Sequence, residues 1–301
     1  MSMSQGKITL AKFVGSLVGT AIGDSLGADR EGFFGFQEVK EISSRYTDDT
    51  AMMLGVAESL IQCQGFDGEH MAKTFIQNYE REPRRGYGPG PPRVFNLIKQ
   101  GVSWDKAVEE IYPGGSFGNG AAMRIAPVAL FYYEDEEKLR QIAYESSRIT
   151  HTHPLGMEGA ALEAYAMSLA LREEPKFLDK LKEFTRLEVY IRKLESIERL
   201  LDKKEDRKQI VKELGNGIEA FNSVPTAIYS FLANSSFAEA LVYAVSLGGD
   251  TDTIGAMTGA LAGAWWGLTE IPFAWQRKLE NGEYIEELAR GLWKMKEIKP
   301  Y

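Results

Sequence analysis

The sequence predicts an all-α protein. Apolar residues recur at helical spacing from Ala51 to Ile61 and from Leu155 to Leu171, and another apolar helix is predicted from Ala238 to Leu247. The segment from Thr253 to Leu268 is also helical in pattern and is rich in Gly and Ala, so it can pack closely against its neighbours. Alternating β-branched runs bounded by hairpin turns are almost absent, and we therefore expect helices to build the fold.

Length and composition limit the class of protein. The 301 residues are 44% hydrophobic, enough for a sizeable core, and no low-complexity linker divides them, so we predict a single domain, residues 1–301. The net charge of −8 argues against a nucleic-acid or anionic-membrane partner. The apolar stretch from Ile8 to Ala28 is too short and Gly-rich to span a membrane. A single cysteine, Cys63, excludes an internal disulfide and a cysteine zinc site, and it favours a cytoplasmic protein, which we expect to be a monomer.

Two segments differ from the rest in composition. The span from Arg172 to Glu213 is dense in charge but keeps apolar residues at helical spacing, which predicts two or three amphipathic surface helices rather than a partner-binding arm. The segment from Arg81 to Pro92 is rich in Gly and Pro, which predicts a non-helical loop.

The strongest functional signal is a pair of acidic clusters about 200 residues apart. One is Thr47-Asp48-Asp49, directly before the helix near Ala51, and the other is Asp250-Thr251-Asp252-Thr253, directly before the Gly/Ala helix. Such residues commonly cap helices, but a cap needs one oxygen, and adjacent aspartates repel each other unless a cation is bound. Since the donors are all oxygens, the clusters favour Mg²⁺ or Mn²⁺ over Zn²⁺.

Three further elements carry weaker signals. Glu31 lies in a glycine-flanked turn, where a carboxylate can act as an acid or base, although the residues alone leave it one exposed Glu among many. The glycine-rich run from Gly114 to Arg124 continues into an apolar helix, whose dipole would help its backbone N–H groups to bind an anion, and it is a weak phosphate-binding signal. Tyr112 and Phe117 can stack on a purine or simply pack. His151 is interpreted as a substrate hydrogen-bonding group rather than a metal ligand.

In order along the chain, these elements resemble the ADP-ribosylglycohydrolase family, which includes dinitrogenase-reductase-activating glycohydrolase and the ADP-ribosyl-acceptor hydrolases. The motifs are GDSLGADREG, YTDDTAMM, RGYG, GSFGNGAAMR, THTHPLG and SLGGDTDTIGAMTGALAGAWWG. The segment LGNGIEAFNSVPTAIYSF, residues 214–231, is similar to the third ADP-ribosyl-acceptor hydrolase, whose branch acts on serine-linked ADP-ribose, poly(ADP-ribose) and O-acetyl-ADP-ribose.

The resemblance implies a compact orthogonal bundle of many helices with a dinuclear metal cleft that binds ADP-ribose or an ADP-ribosylated protein or small molecule. It places Glu31 at the catalytic or metal-gating position. The implied ligands of two divalent cations, Mg²⁺ or alternatively Mn²⁺, are Thr47, Asp48, Asp49, Asp250, Asp252 and Thr253. The implied substrate-binding residues are Gly86, Tyr87, Gly88, Gly115, Ser116, Phe117, Gly118, Asn119 and His151.

Two departures from the family pattern stand out. Phe117 occupies a position where the favoured branch usually has tyrosine, so stacking on adenine is kept and a hydroxyl hydrogen bond is lost. The charged span from Arg172 to Glu213 matches no family motif. The alternatives to an O-linked ADP-ribosyl hydrolase are an arginine-specific hydrolase, a non-catalytic relative that keeps the fold, and a Mg²⁺-dependent phosphohydrolase.

Overall fold

A computed structural model describes residues 6–33, 42–43, 45–203 and 206–297. These ranges form sixteen α-helices and two short 3₁₀ turns, and they contain no strand beyond one isolated bridge between Gly118 and Glu219. The first eight helices are α1 Leu10–Gly27, α2 Asp48–Cys63, α3 Gly68–Arg81, α4 Gly90–Lys99, α5 Ala107–Ile111, α6 Ala126–Tyr132, α7 Glu136–Ser147 and α8 Pro154–Leu171. The others are α9 Phe177–Phe184, α10 Glu188–Lys203, α11 Arg207–Leu214, α12 Ala220–Leu232, α13 Phe237–Ser246, α14 Thr251–Trp266, α15 Phe273–Lys278 and α16 Gly282–Glu297. The all-α prediction is confirmed.

The four helices predicted from periodicity are present with ends shifted by a few residues. α2 starts three residues earlier than predicted because Thr47 caps it, accepting a hydrogen bond from the Asp49 N–H. The prediction of a loop from Arg81 to Pro92 was wrong at both ends. Arg81 closes α3, and Pro91 and Pro92 lie in the first turn of α4, where a helix needs no N–H donor.

α1 and α14 pack very closely against each other, and glycines make this possible. Gly15, Gly19 and Gly23 of α1 face Gly263, Gly259 and Gly255 of α14, so the two helices run antiparallel. A Cβ added at Gly19 would lie 2.2 Å from the Gly259 carbonyl oxygen. This close pairing brings the end of α1 beside the start of α14. Within the described ranges, no helix has the length and apolar character needed to cross a membrane.

The charged span forms α9, α10 and α11, in agreement with the prediction of two or three amphipathic helices. It is attached to the bundle by Glu158 of α8, whose carboxylate is fully buried. Glu158 accepts hydrogen bonds from the Thr185 hydroxyl at 2.6 Å and the Arg186 N–H at 2.8 Å, and it pairs with Arg140 at 3.3 Å. The charged span is therefore an integral layer of the fold.

A second buried carboxyl in α8 has no such partners. Glu163 is 0% exposed, and neither of its oxygens has a hydrogen-bond partner among the described residues. Burial raises the pKa of Glu163 well above its usual value. The folded protein therefore keeps the Glu163 carboxyl protonated at pH values where an exposed glutamate is already ionised.

We expect Glu163→Gln to stabilise the protein increasingly as pH rises. The unfolded wild type loses this proton near pH 4.5 while the folded state keeps it, so wild-type stability falls by about 1.4 kcal/mol per pH unit until the folded pKa is reached. The glutamine variant lacks this dependence. Urea denaturation at pH 5 and pH 8 measures the gap, with Glu195→Gln on the exposed side of α10 as control. An equal gap at both pH values would contradict a neutral Glu163.

Candidate active site

Three helix ends converge on the acidic clusters. Asp24, in the last turn of α1, is fully buried and contacts the first residues of α2. Its carboxylate accepts hydrogen bonds from the Thr47 N–H at 3.0 Å, the Thr50 N–H at 3.0 Å and the Thr50 hydroxyl at 2.6 Å. Asp24 thus satisfies free N–H groups of the first turn of α2 and fixes the position of Asp48 and Asp49.

The segment carrying Glu31 is joined to the start of α14. The Gly32 N–H donates to the Gly249 carbonyl at 2.9 Å, and the Gly249 N–H donates to the Phe33 carbonyl at 3.2 Å. Glu31 is consequently exposed at the edge of a cleft, next to Asp250 and Asp252.

Carboxylates from both clusters border this one cleft. Asp48 and Asp49 lie in its wall together with Glu31, Asp250 and Asp252, and the cleft has a volume of about 220 Å³. Glu31, Asp250 and Asp252 each offer an oxygen, and these three atoms lie within 4.8 Å of one another. The two clusters, about 200 residues apart in the chain, therefore form one site.

Burial and mutual repulsion raise the pKa values of these carboxyls. Burial, and then the charge of Asp24, raise the pKa of Asp48 to about 7. The pKa of Asp49 lies well above its usual value because of burial and of the neighbouring charge of Asp252. Burial, and then Asp250, raise the pKa of Asp252 and of Glu31. A bound cation would remove this repulsion.

The donor set fits a hard divalent cation. The Asp49 Oδ1 atom is buried and has no hydrogen-bond partner among the described residues, although its Oδ2 accepts from the Thr47 hydroxyl at 3.2 Å. A buried carboxylate oxygen without a partner is costly unless an ion satisfies it. Glu31, Asp250 and Asp252, whose oxygens lie close enough together to hold one metal ion, are all carboxylates, the ligand type that Mg²⁺ and Mn²⁺ prefer.

The glycine-rich loop reaches the acidic site through Asn119. This buried side chain donates to Asp250 Oδ2 at 2.5 Å and to the Ser223 hydroxyl at 3.1 Å. Ser116, Gly118 and Asn119 border the cleft. The prediction that a helix dipole assists anion binding at this loop was wrong, because a turn over 120–124 separates the loop from the start of α6.

His151 lies beneath the same loop. Its Nδ1 is 2.7 Å from the Thr150 hydroxyl, and its Nε2 would be 3.3 Å from a Cβ placed at Gly118. Burial, and then the charge of Arg124, lower the pKa of His151 to about 3, so the ring is neutral near pH 7. His151 borders the cleft, where a neutral imidazole can donate or accept a hydrogen bond.

Some of the predicted residues lie away from the cleft wall. Gly86 and Gly88 border the cleft, but the ring of Tyr87 between them packs edge-on against Tyr79 with centroids 5.0 Å apart. Gly115 packs against the backbone of His153 instead. Two other predicted residues also lie away from the cleft wall: the Thr47 hydroxyl bonds to Asp49, and Phe117 is 46% exposed and packs next to His153 and Phe221. The last predicted residue, Thr253, borders the cleft.

Two charged residues at the site were not assigned a role from the sequence. Asp24 carries a local signal, since it belongs to the Gly-Asp pair seven residues before Glu31. Arg124 borders the cleft although it is only 1% exposed, and its guanidinium lies 4.8 Å from the centre of the Phe75 ring. It is the only Lys or Arg among the described residues that line the cleft. The place of Arg124 in the cleft wall could not be predicted from the sequence, because nothing in the local pattern shows that its side chain is buried.

The fold and site define a helical protein with a carboxylate-lined cleft, and comparisons with known proteins place it in a family. A family model described as ADP-ribosylglycohydrolase matches residues 6–300. The ADP-ribosylhydrolase ARH3 of Homo sapiens is 35% identical over 94% of this chain and 93% of its own. The ADP-ribosylarginine hydrolase Tri1 of Pseudomonas putida is 25% identical over 93% of this chain and 77% of its own. A solved structure named ADP-ribosylglycohydrolase-related protein complex superposes with a TM-score of 0.79 at 30% identity, covering 95% of this chain and 98% of that one.

The chain belongs to the ADP-ribosylglycohydrolase family. It is a hydrolase that acts on ADP-ribosylated substrates.

Proposed function

We propose that the protein is a metal-dependent hydrolase that cleaves the C1″–O bond of O-linked ADP-ribose and releases ADP-ribose. Its substrates are serine-linked ADP-ribose, poly(ADP-ribose) or O-acetyl-ADP-ribose, and it works as a cytoplasmic monomer. The observation that carries the proposal is the meeting of Glu31 with both acidic clusters in one cleft. The choice of an O-linked acceptor is supported by higher identity to ARH3, 35%, than to the arginine hydrolase, 25%.

Two divalent cations, most simply Mg²⁺, would be bound by residues at the starts of α2 and α14. The ligands at α2 would be Thr47, Asp48 and Asp49, and those at α14 would be Asp250, Asp252 and Thr253. When bound, the cations supply positive charge that orients the ribose hydroxyls and polarises a water molecule. The buried, unpartnered Asp49 Oδ1 and the mutual repulsion of the carboxylates support this assignment.

Other residues that border the cleft are proposed to bind the substrate. Ser116, Gly118, Asn119 and His151 lie on one wall, where backbone and side-chain donors can bind the diphosphate. Asn119 also holds Asp250 in place, so substrate binding and the acidic cluster share one anchor. A diphosphate held in this way also orients the attached ribose, and restricting the motion of the ribose lowers the activation barrier for hydrolysis.

Glu31 is the proposed acid and base. Hydrolysis passes through an oxocarbenium-like state and requires protonation of the leaving oxygen. Glu31 borders the cleft beside Asp250 and Asp252 and is itself exposed, so its carboxyl can reach the leaving oxygen of a bound substrate. Its carboxyl donates a proton to the acceptor oxygen as the C1″–O bond breaks, and then accepts one from the water that bonds to C1″.

A panel of acceptors tests the function. Purified protein with Mg²⁺ or Mn²⁺ is incubated with a serine-linked peptide, poly(ADP-ribose), O-acetyl-ADP-ribose and an arginine-linked peptide, and free ADP-ribose is measured by mass spectrometry. We expect release from at least one O-linked substrate, no release from arginine, and complete loss after chelation. Release from the arginine-linked peptide alone would refute the choice of an O-linked acceptor. Activity after exhaustive chelation would refute the metal dependence. Release of phosphate in place of ADP-ribose would refute the proposed reaction.

In the same assay, Glu31→Gln is expected to lower turnover about 10²- to 10⁴-fold, because it removes the transferable proton. Its affinity for ADP-ribose should stay within about twofold of wild type, since the role lies in the transition state. Asp29→Asn, an exposed neighbour outside the cleft wall, is the matched control and should keep full turnover. Wild-type turnover in Glu31→Gln would refute the acid–base role.

A further inference from the structure

Outside the cleft, the residue just before the first acidic cluster is held at unusually many points. Tyr46 is 5% exposed and precedes Thr47, the cap of α2. Its N–H donates to Glu280 Oε2 at 3.3 Å, and its carbonyl accepts from Arg85 Nη1 at 3.1 Å. Both polar groups of this peptide residue are therefore bound by side chains distant in sequence.

The two side chains that hold Tyr46 also hold each other. Arg85 Nη1 and Nη2 donate to the two carboxylate oxygens of Glu280 at 2.7 and 2.9 Å, a two-pronged pair. The Arg85 Nε donates to Glu82 at 2.6 Å. This geometry uses the planar guanidinium fork, which lysine cannot reproduce.

The ring of Tyr46 is fixed as well. The Arg85 guanidinium lies 4.2 Å from the ring centre, and the Tyr46 hydroxyl accepts from the Asn281 side chain at 2.9 Å. The Arg85 side chain is only 1% exposed and that of Glu280 is 25% exposed, so water weakens these contacts less than it would on the open surface. We call the group Arg85, Glu280 and Tyr46 the Tyr46 clamp.

The clamp acts on two walls of the cleft. Tyr46 leads directly into Thr47, Asp48 and Asp49, while Arg85 leads directly into Gly86. Gly86 has φ +90°, and a Cβ built on it would lie 3.6 Å from Asp48 Oδ1. Arg85 is therefore directly joined to the loop residue that approaches Asp48, although it does not itself border the cleft.

We infer that Arg85 and Glu280 are positioning residues that fix the Thr47–Asp49 ligands for a divalent cation by clamping the Tyr46 backbone from both sides. The inference rests on the proposed function for the divalent cation that Thr47–Asp49 bind, and on the structure for the clamp itself. Asp24 holds the same segment from its other side, through the N–H groups of Thr47 and Thr50. Losing the clamp leaves the ligands present but imperfectly placed.

The test compares Arg85→Lys with Arg140→Lys. Arg140 is a matched control because it too is a buried arginine paired with a glutamate, donates to a backbone carbonyl and stacks on a ring, at 3.6 Å from Phe184. It does not border the cleft. Both variants lose a buried guanidinium, but only Arg85→Lys loses the clamp.

The first readout is Mn²⁺ affinity, titrated by electron paramagnetic resonance at a temperature where all proteins are folded. Supporting groups of metal ligands typically change affinity 10- to 100-fold, so we expect Arg85→Lys to weaken Mn²⁺ binding at least about tenfold. Turnover should recover in part at high Mn²⁺. Arg140→Lys should stay within about twofold of wild type, as expected for a distant site.

The second readout needs no metal. Hydrogen exchange of the peptide covering residues 46–50 should accelerate in Arg85→Lys and not in Arg140→Lys. Wild-type exchange and wild-type Mn²⁺ affinity in Arg85→Lys would overturn the inference, and so would equal weakening of Mn²⁺ binding in both variants. If wild type itself binds neither Mn²⁺ nor Mg²⁺, the metal assignment of the proposed function fails, while the exchange result still decides whether the clamp holds the segment.

Discussion

Asp252→Asn is expected to lower ADP-ribose release about a thousandfold. Asp252 lies at the start of α14, and its oxygen belongs to the group of three that also includes Glu31 and Asp250. Asparagine keeps the size of the side chain and removes its charge. Loss of the charge stabilisation that bound cations give to a transition state is worth several kcal/mol, and ~4 kcal/mol corresponds to about three powers of ten in rate.

Thermal unfolding separates this effect from misfolding. Wild type should unfold at a higher temperature when Mn²⁺ is added, because the cation binds the folded state. Asp252→Asn should lose this gain, yet without metal it should be at least as stable as wild type, since repulsion from Asp250 is relieved. Asp202→Asn, exposed on α10, is the control for a lost surface charge. A metal-dependent rise in unfolding temperature equal to that of wild type would refute the assignment of Asp252 as a ligand.

Gly259→Ala is expected to destabilise the protein by ~3 kcal/mol, near the upper end of the usual cost of overpacking. Alanine is normally favoured over glycine inside a helix by about 0.5–1 kcal/mol. Here its Cβ would lie 2.0 Å from the Gly19 carbonyl oxygen and 2.6 Å from the Gly19 carbonyl carbon. These are backbone atoms of α1, which cannot rotate away, so the clash outweighs the helix preference.

The unfolding temperature is expected to fall by about 5–10 °C for a loss of this size. Turnover should fall as well, at temperatures where the variant is folded, because separating α1 from α14 moves Glu31 away from Asp252. Gly282→Ala in the first turn of α16 is the matched control, since its Cβ would meet nothing nearer than 3.8 Å. A Gly259→Ala protein as stable as this control would show that the helices do not need their close contact.

Much of the fold and part of the site could be predicted from the sequence because they are encoded locally. Periodic apolar residues predicted the helices, and the acidic clusters were recognised because their carboxylates directly precede two such helices. The errors were local too. Pro91 and Pro92 were interpreted as excluding a helix, whereas a first helical turn accepts proline. The glycine-rich loop was expected to profit from a helix that begins only at Ala126.

The sequence by itself determined which side chains we propose for the chemistry, since Glu31 and the clusters at Asp48 and Asp250 stand in recognisable motifs. Only the tertiary structure decided what supports them. Arg85 and Glu280 are 195 positions apart, and the contact between them leaves no trace in local spacing. The same is true of Arg124, an ordinary arginine in the sequence that folding removes almost completely from water. Helix patterns follow from neighbours along the chain, whereas these placements arise only when segments that are distant in sequence pack together.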